Sequence, residues 1–485
     1  MRRSLAFSAV IGLGLIAAPA TAGTVKQLTH PSPDGAVFAM LLTDGTVMAQ
    51  GFGETDWYRL TPDNTGSYVN GTWKQAASLP SGYAPDANAE SVLPDGRLII
   101  AGGEYNFGNF SFTNTSAIYD PLTNKWTDVT PNKKLLPFIG DSPSHVLPDG
   151  RFVIAEKFKE KVFAFDGKTD SWSELKSKGK HDFNAEEGWV LLRDGSFLIV
   201  DVKDHPNSER YIPSKGVWVD AGSTVVDLRA PQDCCGNCIP YGPKGKCYDP
   251  PGETGGATLR PDGTVFAAGS TPEGEGTAHT AIYTPPSKND PAGHWTAGPD
   301  FPNGDQSFDM PVTLLTNGNV LVEGSSCQLY EFDGTSLVRQ NVSGGCNSLL
   351  NLPSGEVLLG GDAVYQPTGT YNAKWAPTIT DSPASVTRGQ TYQITGTQFN
   401  GMSQGSSEGD EFDAHTNYPL VRITNNGTGH VFYARTHDHS TMGVQTGKKP
   451  VSTSFDVPSG METGASKIEV VANGIPSKSA DVTVN

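Results

Sequence analysis

VLPDGRLIIAGG, residues 92–103, reads as an apolar strand, a tight turn and a second apolar strand. Asp95-Gly96 between two apolar runs is the strongest short-range signal for a β-hairpin. The phrase returns along the chain as LLTDGTVMAQG (41–51), VLPDGRFVIAE (146–156), LLRDGSFLIVD (191–201), LRPDGTVFAAG (259–269), LLTNGNVLVEG (314–324) and NLPSGEVLLGG (351–361). Seven copies result, at intervals of about 35 to 70 residues. An aromatic strand and then a Trp strand follow most copies. Tyr119 precedes Trp126, Phe165 precedes Trp172 and Tyr211 precedes Trp218, each by seven residues. Tyr58/Trp73 and Tyr283/Trp295 keep that order across longer loops.

Four short strands per unit at this period predict propeller blades, because one unit cannot bury its faces alone and must stack on its neighbours. The expected fold class is all-β: a seven-bladed propeller over residues 23–372, then a β-sandwich over 373–485. The seventh unit lacks a clear Trp strand before the chain leaves at Trp375, so Val25-Lys26-Gln27-Leu28 is expected to supply its outer strand and latch the ring. Beyond 373, TYQITGTQF, HVFYARTH, KIEVVANG and ADVTVN are alternating strands of immunoglobulin-like length.

Composition agrees. The 485 residues include 56 Gly and 35 Pro, as many turns require, while 36% hydrophobic residues and eight Trp are too many for a disordered chain. A formal charge of -17 argues against nucleic acid as a partner, since binding phosphates needs a basic surface. Arg2-Arg3, the apolar run from Leu5 to Ala18 and Thr21-Ala22 predict a signal peptide over 1–22, cleaved after Ala22, and so a secreted or periplasmic protein. No later run is long enough to span a bilayer, and a monomer is expected. Six Cys in an exported chain favour disulfides. Cys327 and Cys346, at the end of one strand and the start of the next, are the expected pair. Cys234, Cys235, Cys238 and Cys247 are read as two bridges or a zinc site, their pairing open.

GDEFDAHTNYPLVRI (409–423), RTHDHSTMG (435–443), FDVPSG (455–460) and VVANGIPS (470–477), behind a kelch-type repeat, resemble the galactose oxidase/glyoxal oxidase-like proteins. The resemblance covers nearly the whole mature chain. It implies a propeller with a C-terminal immunoglobulin-like domain and, in catalytic members, a copper-radical site that oxidises an alcohol or aldehyde and makes H2O2. That site needs a Tyr cross-linked to a Cys, a Tyr-His pair and a His from a sandwich loop. Here no Cys precedes Cys234, Ala87 stands where the radical Tyr belongs, and Gly345-Cys346 stand where the Tyr-His pair belongs. Only His437 or His439 answers the sandwich-loop His, so copper is not expected.

The residues ahead of each predicted inner strand form one mouth of the ring. They place Glu90, Asp141, Glu186, Glu187, Glu253, Asp309 and Asn347 at nearly equivalent positions, with His145, His181 and Trp189 nearby. One reading has the acids binding backbone N–H groups of neighbouring blades. The other makes Asp141, Glu186, Glu187 and Asp309 an acid/base set for carbohydrate, with Trp189, His181, His145, Glu253 and Asn347 holding the sugar. The same oxygens suit Ca2+ or another divalent metal. His437 and His439, at i and i+2 of an extended segment, point the same way as metal ligands do, and the resemblance puts their loop toward the channel mouth. His415 is read as a surface residue.

The expected function is a secreted protein that binds or acts on carbohydrate or cell-surface glycan through this acidic mouth, without copper-radical chemistry. If it is an enzyme, it is a hydrolase or lyase. A copper-radical oxidase and a non-catalytic surface-interaction module are the alternatives.

Overall fold

The computed structural model describes residues 23–36, 38–231, 239–241, 246–248, 251–271, 276–346, 348–404 and 417–485. The expected signal peptide, Asn347, His415 and the cysteines at 234, 235 and 238 lie outside these residues, as does the side chain of Cys247. The described chain is all-β apart from one 3-10 turn at Pro302–Gly304, and none of its helices is long and apolar enough to cross a membrane.

Each copy of the repeated phrase forms the first hairpin of a four-stranded antiparallel sheet, and there are seven such sheets among the described residues. Their first strands are Ala39–Leu41, Ala89–Val92, Ser144–Val146, Val190–Leu191, Ala257–Leu259, Val312–Leu314 and Leu349–Asn351. All seven turn glycines, from Gly45 to Gly355, sit at φ between 77° and 92°, the left-handed region that a side chain resists. The first strand of the seventh sheet lies against that of the first, which closes a ring and defines a β-propeller. The outer strand of the seventh sheet comes from the N-terminus: Thr24–Gln27 pairs antiparallel with Ala363–Gln366, Thr24 opposite Gln366. The first and last parts of the chain thus share one sheet, as the missing Trp strand requires.

The aromatic and Trp strands pair as the spacing predicts. Tyr119 faces Trp126, Phe165 faces Trp172, Tyr211 faces Trp218 and Tyr283 faces Trp295. In the first sheet the register differs: Leu60 faces Trp73, and Tyr58 faces Gln75. These indoles also tie sheet to sheet. Trp126 Nε1–H donates to Ala77 O (2.9 Å), Trp172 Nε1–H to Val129 O (2.7 Å) and Trp295 Nε1–H to Ser208 Oγ (2.8 Å). Cys327 and Cys346 are joined by a disulfide.

The C-terminal region forms one hydrogen-bonded sheet of nine strands. A sandwich from the alternating pattern implies two sheets; here Val431–His437 belongs to both halves. Its first residues pair with Leu420–Asn425 and its last with Pro450–Asp456. The sheet folds over a single core in which Val386 and Val484 from one end meet Ile394 and Phe455 from the other.

This region packs on the propeller face that carries the Asp-Gly turns. Thr436 N–H donates to Thr43 O (3.1 Å), Met442 N–H to Pro148 O (3.0 Å) and Gln445 Nε2–H to Arg260 O (2.8 Å). Arg435 donates to Asp95 O and Tyr418 to Leu41 O. At Gly45 a Cβ would stand 2.4 Å from the Tyr433 ring, so a side chain there would push the two regions apart. The opposite face, where the first strands begin, is left open by these contacts.

Candidate functional site

Because every first strand starts at the open face and runs to its turn at the covered one, the residues just ahead of it gather at the open mouth. Asp141, Glu186, Glu187, Glu253 and Asp309 take such positions, and Glu90 is the second residue of its own first strand. The organising groups, however, are two buried lysines that the repeat does not reveal. Lys157 follows the second strand of sheet three, and Lys180 lies between sheets three and four.

Lys157 Nζ stands 2.6 Å from Asp141 Oδ1 and 2.7 Å from Glu186 Oε1, with all three side chains 2% exposed or less. Glu186 is bridged through its backbone to Glu253. Burial raises the Glu186 carboxyl well above its ordinary range, against the pull of Lys157. Glu104, half-exposed at the rim, belongs to the same group. Burial, then the Asp141 charge, pushes its carboxyl up to about 8, so it keeps its proton at neutral pH.

Lys180 Nζ lies 2.5 Å from Asp182 Oδ1, 3.1 Å from Glu187 Oε2, 3.5 Å from Glu209 Oε2 and 3.8 Å from Asp201 Oδ1. All are buried. Burial lowers the lysine's affinity for its proton, but the four carboxylates, Glu187 first, outweigh it and raise it. Glu187 is held up at about 8 and Asp201 at about 9, burial being the first cause in both. Glu187 also accepts the Val202 N–H (3.2 Å).

Several expected contacts with a sugar are corrected. Trp189 is fully buried, stacked on Phe197 at 5.4 Å with its edge to Trp218, so it packs within sheet four and offers no face to a ligand. His145 is equally buried against Phe197. His181 does reach solvent, and its backbone N–H donates to both Glu209 oxygens at 3.2 Å. Asp309 is half-buried at a positive φ of 52°.

His437 and His439 are brought nowhere near these acids. They lie on the covered face, His439 and Asp438 beside Asp95, Asp149 and Arg151 of the turns, because the sheet that carries them docks there. His437 bonds Asp438 (2.8 Å) and Asp456 (3.2 Å). His439 stacks on Tyr418, bonds Thr453 Oγ1 (2.9 Å) and is pushed down to about 3 by burial, then by His437. Among the described residues the only group of three His, Cys, Asp or Glu side chains spaced to hold a metal is Asp182, Asp201 and Glu209. The donor set around His437 and His439 does not fit copper, whose tetragonal site needs several converging N/O ligands.

The feature missed in the sequence is EYNFGNFSF (104–112), an insertion that interrupts sheet two. Its Tyr105–Asn106 and Asn109–Phe110 form a small hairpin at the rim. Phe107 and Phe110 are 51% and 37% exposed, and Phe110 packs edge-on to Tyr105 (5.7 Å) and Phe112 (4.3 Å). Lys157 Nζ lies 5.7 Å from the Phe112 ring. Four aromatics in eight residues outside the repeat were the available signal.

No protein-family model and no curated protein matches the chain. Among solved structures it is similar to a streptogramin B lyase, with TM-score 0.45 and 11% identity over 71% of this chain and 98% of that one. It is similar to YjhT at TM-score 0.42 and 15% identity, over 65% and 99%. It is also similar to YCF48 from Cyanidioschyzon merolae at TM-score 0.43 and 10% identity, over 71% and 98%. All three are β-propeller proteins.

Proposed function

We propose that the protein is an exported galactose-oxidase-like chain, a seven-bladed kelch-type propeller over 23–372 with an immunoglobulin-like domain over 373–485. It binds carbohydrate or cell-surface glycan at the open acidic mouth, without copper-radical chemistry. The observation that carries this reading is the exposed Phe107 and Phe110 pair beside the protonated Glu104. Aromatic faces take the C–H surface of a sugar ring, and a neutral carboxyl donates a hydrogen bond to a hydroxyl. Burial first, and then the charge of Asp141, keep Glu104 protonated; Asp141 and Glu186 are both held by Lys157. They are not free to activate water, which favours binding over hydrolysis.

The test is affinity electrophoresis of the mature protein through a panel of neutral polysaccharides. At least one is expected to retard it, and Phe107→Ala/Phe110→Ala should weaken that binding at least tenfold with the fold intact by circular dichroism. Retardation by no polysaccharide, or an unaffected double variant, would sink the reading. Stoichiometric copper with H2O2 production would replace it with the oxidase.

A further inference from the structure

Around Lys180 the carboxylates outnumber the cation four to one, and the lysine does not serve them equally. Its ammonium donates to Asp182 at 2.5 Å and, at long range, to Glu209 at 3.5 Å. Asp201 is left over. Its side chain is 0% exposed, its nearest cation is Lys180 Nζ at 3.8 Å, and neither of its carboxylate oxygens takes part in a hydrogen bond. Buried carboxylates in native proteins nearly always accept hydrogen bonds, so one with both oxygens bare points to a missing electrophile. Asp182 Oδ2 is bare as well.

We propose that Asp182, Asp201 and Glu209 bind a divalent cation of the hard, oxygen-seeking class, Ca2+ foremost. One oxygen from each lies within 4.8 Å of the others. Two ligands on opposite sides of a Ca2+ ion stand about 4.6–5.2 Å apart, so the three are spaced for one ion; the Lys180 ammonium, within 3.8 Å of each of them, would have to swing toward Glu187 to admit it. Glu209 is already oriented by the His181 N–H on both its oxygens. The partly exposed His181 is the residue between the group and solvent. Lys180 and a divalent ion together bring three positive charges to four carboxylates, which removes most of the imbalance. All the ligands belong to sheet four and the loop before it, so the ion would stiffen one edge of the mouth. This proposal does not rest on the carbohydrate reading: the aromatic rim belongs to sheet two, and the ion is titrated with no sugar present.

The experiment is calorimetric and thermal titration of the chelator-stripped mature protein with CaCl2, and in parallel with MgCl2 and MnCl2. Expected are one equivalent of Ca2+ bound and a rise in Tm. Asp201→Asn should weaken that binding at least tenfold while leaving the metal-free Tm unchanged or higher, because the Asp201 oxygens accept no hydrogen bond that the change would remove. If Asp201→Asn does not fold, Asp182→Asn gives the same reading. No heat and no Tm shift with any of the three metals would overturn the site, and so would Ca2+ binding undiminished in the Asn variant.

Discussion

Lys157 meets two carboxylates at 2.6 and 2.7 Å, while Lys180, two strands further along at the same mouth, is shared among four at 2.5 to 3.8 Å. The first arrangement is closed, because each oxygen that faces the ammonium has a short contact. It is also a strap between sheets: Asp141 leads into the first strand of sheet three and Glu186 into that of sheet four, the junction at which neighbouring first strands touch least. The second arrangement is open, and its members come from one sheet and its approach loop. Stoichiometry and span therefore separate a structural ion pair from a group with unspent negative charge, although both read in the sequence as acids at a propeller mouth.

The comparison breaks most sharply at Lys157. Lys157→Met leaves Asp141 and Glu186 buried without their partner, and removing one member of a buried ion pair costs about 3–5 kcal/mol. Denaturant unfolding should show that loss. Asp141→Asn/Glu186→Gln added to Lys157→Met should recover part of it, since neutral side chains no longer need the ammonium. A variant at Lys157 as stable as the parent would remove the strap from the argument.

A covalent counterpart closes the base of the outer hairpin of sheet six, where Gln328 pairs with Ser343. The Cys327–Cys346 bond closes a loop with a sequence separation of 19, and Cys346 N–H donates to the buried Glu323 Oε1 (2.8 Å). Cross-linking a loop of that size contributes about 3 kcal/mol in the chain-entropy account. Cys327→Ser/Cys346→Ser should lose about that amount, somewhat less than Lys157→Met, measured by the same unfolding curves. A larger loss than at Lys157 would invert the ranking of the two straps.

Much of this architecture was legible in residues alone. Seven Asp-Gly or similar turns between apolar runs placed the seven hairpins, and the aromatic-then-Trp spacing placed the outer pairs, because local pattern and register are short-range matters. The site was legible only in part. Acids ahead of each first strand were placed at the mouth, but Lys157 and Lys180 carry no repeat signature, and their partners are fixed by how sheets pack. Trp189 looks like a platform in sequence because a Trp beside carboxylates suits a sugar; packing between Phe197 and Trp218 gave it a different use. His437 and His439 have the i, i+2 spacing of ligands, yet spacing does not say which face of the ring their strand will meet.

Glu90 offers the finest test, since it is a mouth acid that neither Lys157 nor Lys180 pairs with. It sits in Ala89–Val92 at 5% exposure, and among the described residues no cation pairs with it. Burial alone pushes its carboxyl up from the ordinary range to about 8. The folded protein therefore holds a proton that the unfolded chain releases above its ordinary carboxyl pKa. The corresponding stability is fully present below that value and is lost as the pH rises through about 8. Tyr83 and Tyr418, both fully buried, feel the same charge and are raised further by it. Glu90→Gln keeps the shape and abolishes the titration, so its Tm should match the parent at pH 4 and exceed it by on the order of a few degrees at pH 8. Lys157→Met should diverge in the opposite sense, its loss relative to the parent shrinking toward pH 4 as the stranded carboxyls take up protons. If parent and Glu90→Gln run parallel from pH 4 to 8, the carboxyl at Glu90 has found a counter-ion, and the mouth holds one more paired acid instead of a lone one.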